Sequence, residues 1–126
     1  MPRTAVFIYA EENGSSPVLE WFRELACRDV RAVDACKARI ALLGAMGHEL
    51  RRPHTDLLRN GIWELRARVG RVNYRLLYFF HGKEIAIVAH AFTKEDKIPE
   101  IDIERAIERR RRYAQTPEKH RATLDV

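Results

Sequence analysis

Arg66, Arg68 and Arg75 are the residues whose type and spacing most directly suggest chemistry. Between positions 62 and 75 they stand with Arg71 against a single acid, Glu64. A guanidinium is planar and permanently charged, and its forked N–H groups match two phosphate oxygens at once. Arg66 and Arg68 are two residues apart, so on a strand they share a face and can grip neighbouring phosphates. Arg75 would approach from the next strand. Fixed cations of this kind stabilise the charge that develops on a phosphorane during phosphodiester cleavage. The competing reading of Arg66 and Arg68 is a solvated strand face. For Arg75 it is a buried cation that needs a partner, which Glu64 could supply.

Other candidates are thinner. Lys94 and Lys97 place two ammonium groups in one loop, where lysines are common. His90 lies in an apolar stretch, as an acid–base group or as a hydrogen-bonded core histidine. By alternation it falls on the face of Ala86, Val88 and Phe92. His48, His54, His81 and His120 are scattered and carry no assignment. Tyr74, Tyr78 and Phe80 could stack bases or simply fill a core. The arginine run 109–112 is either the solvated end of a helix or a contact for RNA. No zinc spacing, phosphate-binding glycine loop or serine triad is present, so neither metal nor cofactor is expected.

These residues must be positioned by elements that the pattern predicts. Residues 5–9 are apolar and β-prone. Ser16-Pro17 starts a helix, with a hydroxyl cap followed by a first-turn proline, and Val18, Trp21, Phe22 and Leu25 form its stripe. Asp29 caps a second helix that buries Val33, Cys36, Ile40 and Leu43 and ends at Gly44 and Gly47. Residues 48–60 read as a polar connector closed by Asn60-Gly61. A strand over 62–68 alternates cleanly, with Trp63, Leu65 and Ala67 opposite Glu64, Arg66 and Arg68. Residues 72–80 form a central strand whose even positions are wholly apolar or aromatic. A turn at 81–83 leads to a buried strand over 84–92. Pro99 opens a third helix with acids in its first turns and Arg109–Arg112 in its last, as the helix dipole favours. Residues 114–126 show no periodicity and are expected to be a flexible tail.

The order β-α-α-β-β-β-α predicts an α+β fold. It has a mainly antiparallel four-stranded sheet, a helical hairpin on one face and a C-terminal helix. The other face is expected to stay partly open. With 126 residues, 46% of them hydrophobic and 33% charged, the chain suits one domain, here residues 1–113, and not a fibrous or disordered protein. Lysine and arginine total 23 against 18 acids, a net +5, which suits a polyanionic partner. Cys27 and Cys36 form no paired motif, which favours a reduced, cytoplasmic compartment. The first residues lack a signal-peptide pattern, and no apolar run reaches the roughly 18 residues that would suggest a membrane span.

Three segments carry a resemblance. They are Pro17-Val18-Leu19-Glu20-Trp21-Phe22, then Leu58-Arg59-Asn60-Gly61-Ile62-Trp63-Glu64-Leu65-Arg66, then Tyr74-Arg75-Leu76-Leu77-Tyr78. Phe92-Thr93-Lys94, Lys97-Ile98-Pro99-Glu100 and Glu104-Arg105-Ala106 complete the set. In this order they resemble the phage-type, HigB-like branch of the RelE/ParE toxin superfamily, over about residues 5–113. The resemblance implies the toxin of a type II toxin–antitoxin pair, silenced by a cognate antitoxin of helix-turn-helix type. It also implies an endoribonuclease that cuts messenger RNA on the ribosome without metal. On that view Arg66 and Arg68 fill the basic positions of the second strand. Arg75 is the arginine of a tyrosine–arginine pair, and Lys94 and Lys97 form the basic loop. The chain departs from the pattern at Glu95-Asp96 and has no tyrosine early in its last helix, so the proton donor and acceptor are unassigned. ParE relatives share the fold and poison DNA gyrase without catalysis, which is the alternative. A non-toxic RNA- or protein-binding module is the third reading.

Overall fold

Two capping residues fix how the N-terminal third folds. The Ser16 hydroxyl accepts the Leu19 N–H at 3.3 Å and donates to the Tyr9 carbonyl at 2.7 Å. It thereby ties the start of helix α1 (Pro17–Arg28) to the end of strand β1 (Ala5–Tyr9). Asp29 accepts from the N–H groups of Arg31 and Ala32 at 3.1 and 3.3 Å, opening α2 (Val30–Met46). That helix runs through Gly44 and ends at Gly47. A side chain at Gly44 would meet the Thr4 carbonyl at 3.3 Å, so the glycine lets the chain entering β1 lie against the helix. The computed structural model describes residues 3–93 and 97–124.

The remaining elements are β2 (Thr55–Arg59), β3 (Ile62–Val69), β4 (Val72–His81), β5 (Ile85–Thr93), α3 (Glu100–Gln115) and β6 (Arg121–Ala122). The fold is α+β, with three helices and a mostly antiparallel sheet in the order β2-β3-β4-β5-β1-β6. Among the described residues, β1 and β5 are the one parallel pair. The sheet therefore has six strands among the described residues, not four. β2 lies in the stretch expected to be a connector. Asn60 and Gly61, at φ 53° and 74°, make the two-residue turn that joins it to β3, since such hairpins need positive φ at both positions. β6 lies in the stretch expected to be a flexible tail. Arg121 and Ala122 pair with Tyr9 and Ile8, while the His120 ring stacks on Tyr9 at 5.1 Å and bonds the Ala10 carbonyl at 2.7 Å.

Each face of the sheet has its own core. On one, α1 and α2 bury Val18, Phe22, Leu25, Val33, Cys36 and Leu43 against Leu65, Leu76, Tyr78 and Val88. On the other, α3 packs Ile103, Ala106 and Tyr113 against Ile62, Leu77, Phe79 and Ile87. The face expected to stay partly open is covered in part by α3. The aromatic positions Tyr74 and Tyr78 belong to the hairpin-side core, with Phe80 packed against it.

A bulge in β5 changes one side chain's address. Leu77 pairs with His90 but the next residue, Tyr78, pairs with Val88, leaving Ala89 as the extra residue. A bulge of this kind resets the in–out alternation beyond it. Ala86 and Val88 face the helical hairpin, whereas Ala89 and Phe92 belong to the α3 side. His90, expected on the face of Ala86 and Val88, bonds to α3 instead.

Candidate functional site

Where α3 begins, the sheet surface falls away into a cleft of about 660 Å³. Its polar lining is Asp56, Glu64, Arg66, Arg75 and Lys97, and Leu58, Ile98 and Ile103 complete it. Strand register builds it. Asp56 stands opposite Glu64 across β2 and β3, and Arg66 stands directly opposite Arg75 across β3 and β4.

Glu64 is the centre, only 2% exposed. Its Oε1 accepts from Arg66 Nε at 2.8 Å, and its Oε2 accepts from Arg75 Nη1. One buried carboxylate therefore holds both guanidinium groups side by side. Arg66 also donates from Nη2 to Asp56 Oδ2 at 2.9 Å and from Nη1 to the Pro53 carbonyl at 3.3 Å. Asp56 in turn receives Arg52 Nε at 3.0 Å. Burial works against the charge on Arg66, but the Glu64 and Asp56 carboxylates outweigh it and raise its pKa above the ordinary arginine value. Among the described residues, the three cations Arg66, Arg75 and Lys97 face the two carboxylates of Asp56 and Glu64 in this lining. Such a cleft can orient a phosphodiester among fixed cations with a carboxylate oxygen close by.

Of the residues singled out from sequence, Arg66, Arg75 and Lys97 come together here. Arg68 does not. It is exposed, donates from Nε to the Gly70 carbonyl at 3.0 Å, and lines a neighbouring cleft. Lys94 lies outside the described residues. His90 sits under α3, where Nε2 meets Asp102 Oδ1 at 2.6 Å and Nδ1 meets Arg109 Nη1 at 3.3 Å. The same Arg109 nitrogen donates to the Ala89 carbonyl at 2.7 Å. Burial pushes the His90 pKa down, opposed by its Asp102 hydrogen bond, and burial also lowers that of Arg109.

Asp56 escaped sequence reasoning because β2 did. Glu64 was visible only as a possible partner for Arg75. The available signal was Asn60-Gly61, which marks a hairpin and so puts Asp56 beside Glu64. Among the described residues no three histidine, cysteine, aspartate or glutamate side chains gather so as to hold a metal ion, and no helix is long and apolar enough to cross a membrane.

Helical hairpin, antiparallel meander and covering C-terminal helix together define the RelE-like α+β class. Residues 20–111 match the family described as Phage derived protein Gp49-like (DUF891), and the chain belongs to that family. The family is associated with toxins of toxin–antitoxin systems, which work opposite a cognate antitoxin. No curated protein matches the chain.

Proposed function

We propose that this protein is a HigB-like toxin of a type II toxin–antitoxin pair. In this reading it acts in the cytoplasm as an endoribonuclease on messenger RNA bound to the ribosome, and it is restrained by a helix-turn-helix antitoxin. The observation that carries the reading is the pair of guanidinium groups, Arg66 and Arg75, held together by Glu64 at the floor of an accessible cleft with Lys97 at its rim. In the reaction that suits this lining, a ribose 2′-oxygen attacks the adjacent phosphorus. Its proton passes to a carboxylate oxygen, and Asp56 is the more accessible of the two, with 29% of its side chain exposed against 3% for Glu64. Arg66 and Arg75 meet the negative charge on the phosphorane. The P–O5′ bond breaks, O5′ takes up a proton from Lys97 or water, and the products are a 2′,3′-cyclic phosphate and a 5′-hydroxyl. Loss of one such fixed donor costs on the order of 10²–10³ in rate.

The test is controlled expression without antitoxin, with new transcript 5′ ends mapped in the presence and absence of ribosomes. Arg75→Lys is the cleaner variant, because it leaves Glu64 a cationic neighbour while removing the planar fork. Cuts within codons that vanish in Arg75→Lys are expected. Undiminished cutting by that variant overturns the mechanism. A second reading, a ParE-like inhibitor of DNA gyrase, draws on the fact that Glu64 and Asp56 already engage the arginines. It predicts DNA damage with intact transcripts.

A further inference from the structure

A second, smaller cleft of about 300 Å³ adjoins the first and shares Arg66 with it. Arg39 of α2, Arg68 of β3, His54 and Asn73 supply its other polar groups, and among the described residues no carboxylate lines it. The two clefts thus differ in charge balance. In the first, Glu64 and Asp56 engage Arg66 and Arg75. In the second, each new guanidinium is fixed by its Nε alone. Arg39 Nε donates to the Arg66 carbonyl at 3.1 Å and Arg68 Nε to the Gly70 carbonyl at 3.0 Å. Neither forms an ion pair among the described residues, which leaves their Nη groups for an outside acceptor. These hydrogen bonds set the direction of two cations from different elements without occupying their forked ends.

Spacing links the clefts. Arg66 and Arg68 are two residues apart on one strand, about 6.7 Å at the usual rise, a separation that suits successive phosphates of an extended strand. His54 is the one aromatic side chain among the described lining residues, against three guanidinium groups, so the cleft suits the phosphate backbone more than a run of stacked bases. We propose that it is a phosphate subsite for the nucleotide adjoining the cut, with Arg39 and Arg68 as its ligands and a single RNA strand as its occupant. The proposal rests on the ribonuclease reading of the first cleft. Hydrogen bonds to phosphate position a strand without reading its sequence, so this subsite contributes affinity and register, not codon preference.

The experiment is binding of a short 2′-O-methyl RNA, which cannot undergo 2′-attack, to the purified full chain over a range of salt concentrations. Arg39→Gln combined with Arg68→Gln is expected to weaken binding about tenfold and to flatten the log–log salt dependence by about 0.7 for each phosphate no longer neutralised. The matched control is Arg23→Gln with Lys83→Gln, two exposed charges elsewhere, and it is expected to change binding far less. Equal weakening in the control reduces the effect to net charge and overturns the subsite. So does a double variant that binds the oligonucleotide normally yet no longer sediments with ribosomes, since the cleft then holds ribosomal RNA. Unchanged binding in both arms assigns the cleft to another anion, such as an acidic protein segment, and likewise overturns it. Because the oligonucleotide is not cut, failure of the nuclease mechanism and failure of this subsite are read separately.

Discussion

Glu64 and Asp102 are both carboxylates buried on the α3 side of the sheet and bonded to basic groups, yet they belong to different kinds of region. Asp102 is carried by α3 itself, so the helix that supplies the carboxylate also roofs its partner His90. Glu64 is carried by β3, in a cleft where α3 contributes one wall through Ile103. Its partners Arg66 and Arg75 keep 33% and 13% of their side chains exposed, at the base of a cleft. A buried charge by itself does not mark a site, because structural networks need buried charges too. The useful distinction is whether the opposing group can still meet a ligand.

The largest effect expected from that distinction is at Arg75. Its replacement by alanine should lower transcript cleavage by about 10²–10³, measured as initial rate on ribosome-bound message. It should also destabilise the fold, since Glu64 loses one of its two cations. Retained cleavage would erase the contrast between the two regions. His90→Ala should do the reverse. It leaves Asp102 without its hydrogen bond and should cost about 3 kcal/mol in urea unfolding, with cleavage per folded molecule unchanged. Lost cleavage at full stability would move the chemistry under α3.

Acid titration gives a smaller, directional effect. Burial holds the folded-state pKa of His90 below its ordinary 6.5, so the unfolded chain takes up this proton first as pH falls. The contribution is therefore fully present above about pH 6.5 and is lost progressively as pH drops through the lowered folded-state value. Chemical denaturation across this range should show the decline, and His90→Ala should lack that component. The smallest effect is expected at the exposed Arg59–Glu100 pair, 2.6 Å apart at the join of β2 and α3. Arg59→Gln should change stability by less than about 1 kcal/mol. A larger loss would mean that this pair helps to hold the cleft.

Much of the fold was legible in local pattern. The alternation of residues 62–68 and the even–odd split of 72–80 correspond to the faces of β3 and β4, because burial on a sheet imposes a period of two. Ser16-Pro17 and Asp29 likewise announced the two helix starts. β2 was illegible because its Asp56, Leu57 and Arg59 show no apolar run, and Leu57 remains 55% exposed at the sheet's edge. β6 is too short to show any period. The face of His90 could not be read from spacing, since the bulge at Ala89 is set by cross-strand register. The site divides the same way. Arg66 and Arg75 follow from strands that were visible, whereas Asp56 follows from one that was not. Arg68 shares alternation with Arg66 but lies past the start of β2, where β3 becomes the edge of the sheet and a different cleft opens.

The two residues of β6 have a consequence for how the protein behaves in a crowded solution. Without them β1 would offer its outer N–H and C=O groups to any other extended chain, the usual template for intermolecular pairing. Arg121 strengthens the cover, with its guanidinium over Phe7 at 5.3 Å and its Nε donating to the Tyr113 hydroxyl at 2.9 Å. A chain cut back to residue 116 should therefore keep its cleft but self-associate, visible as concentration-dependent growth in light scattering.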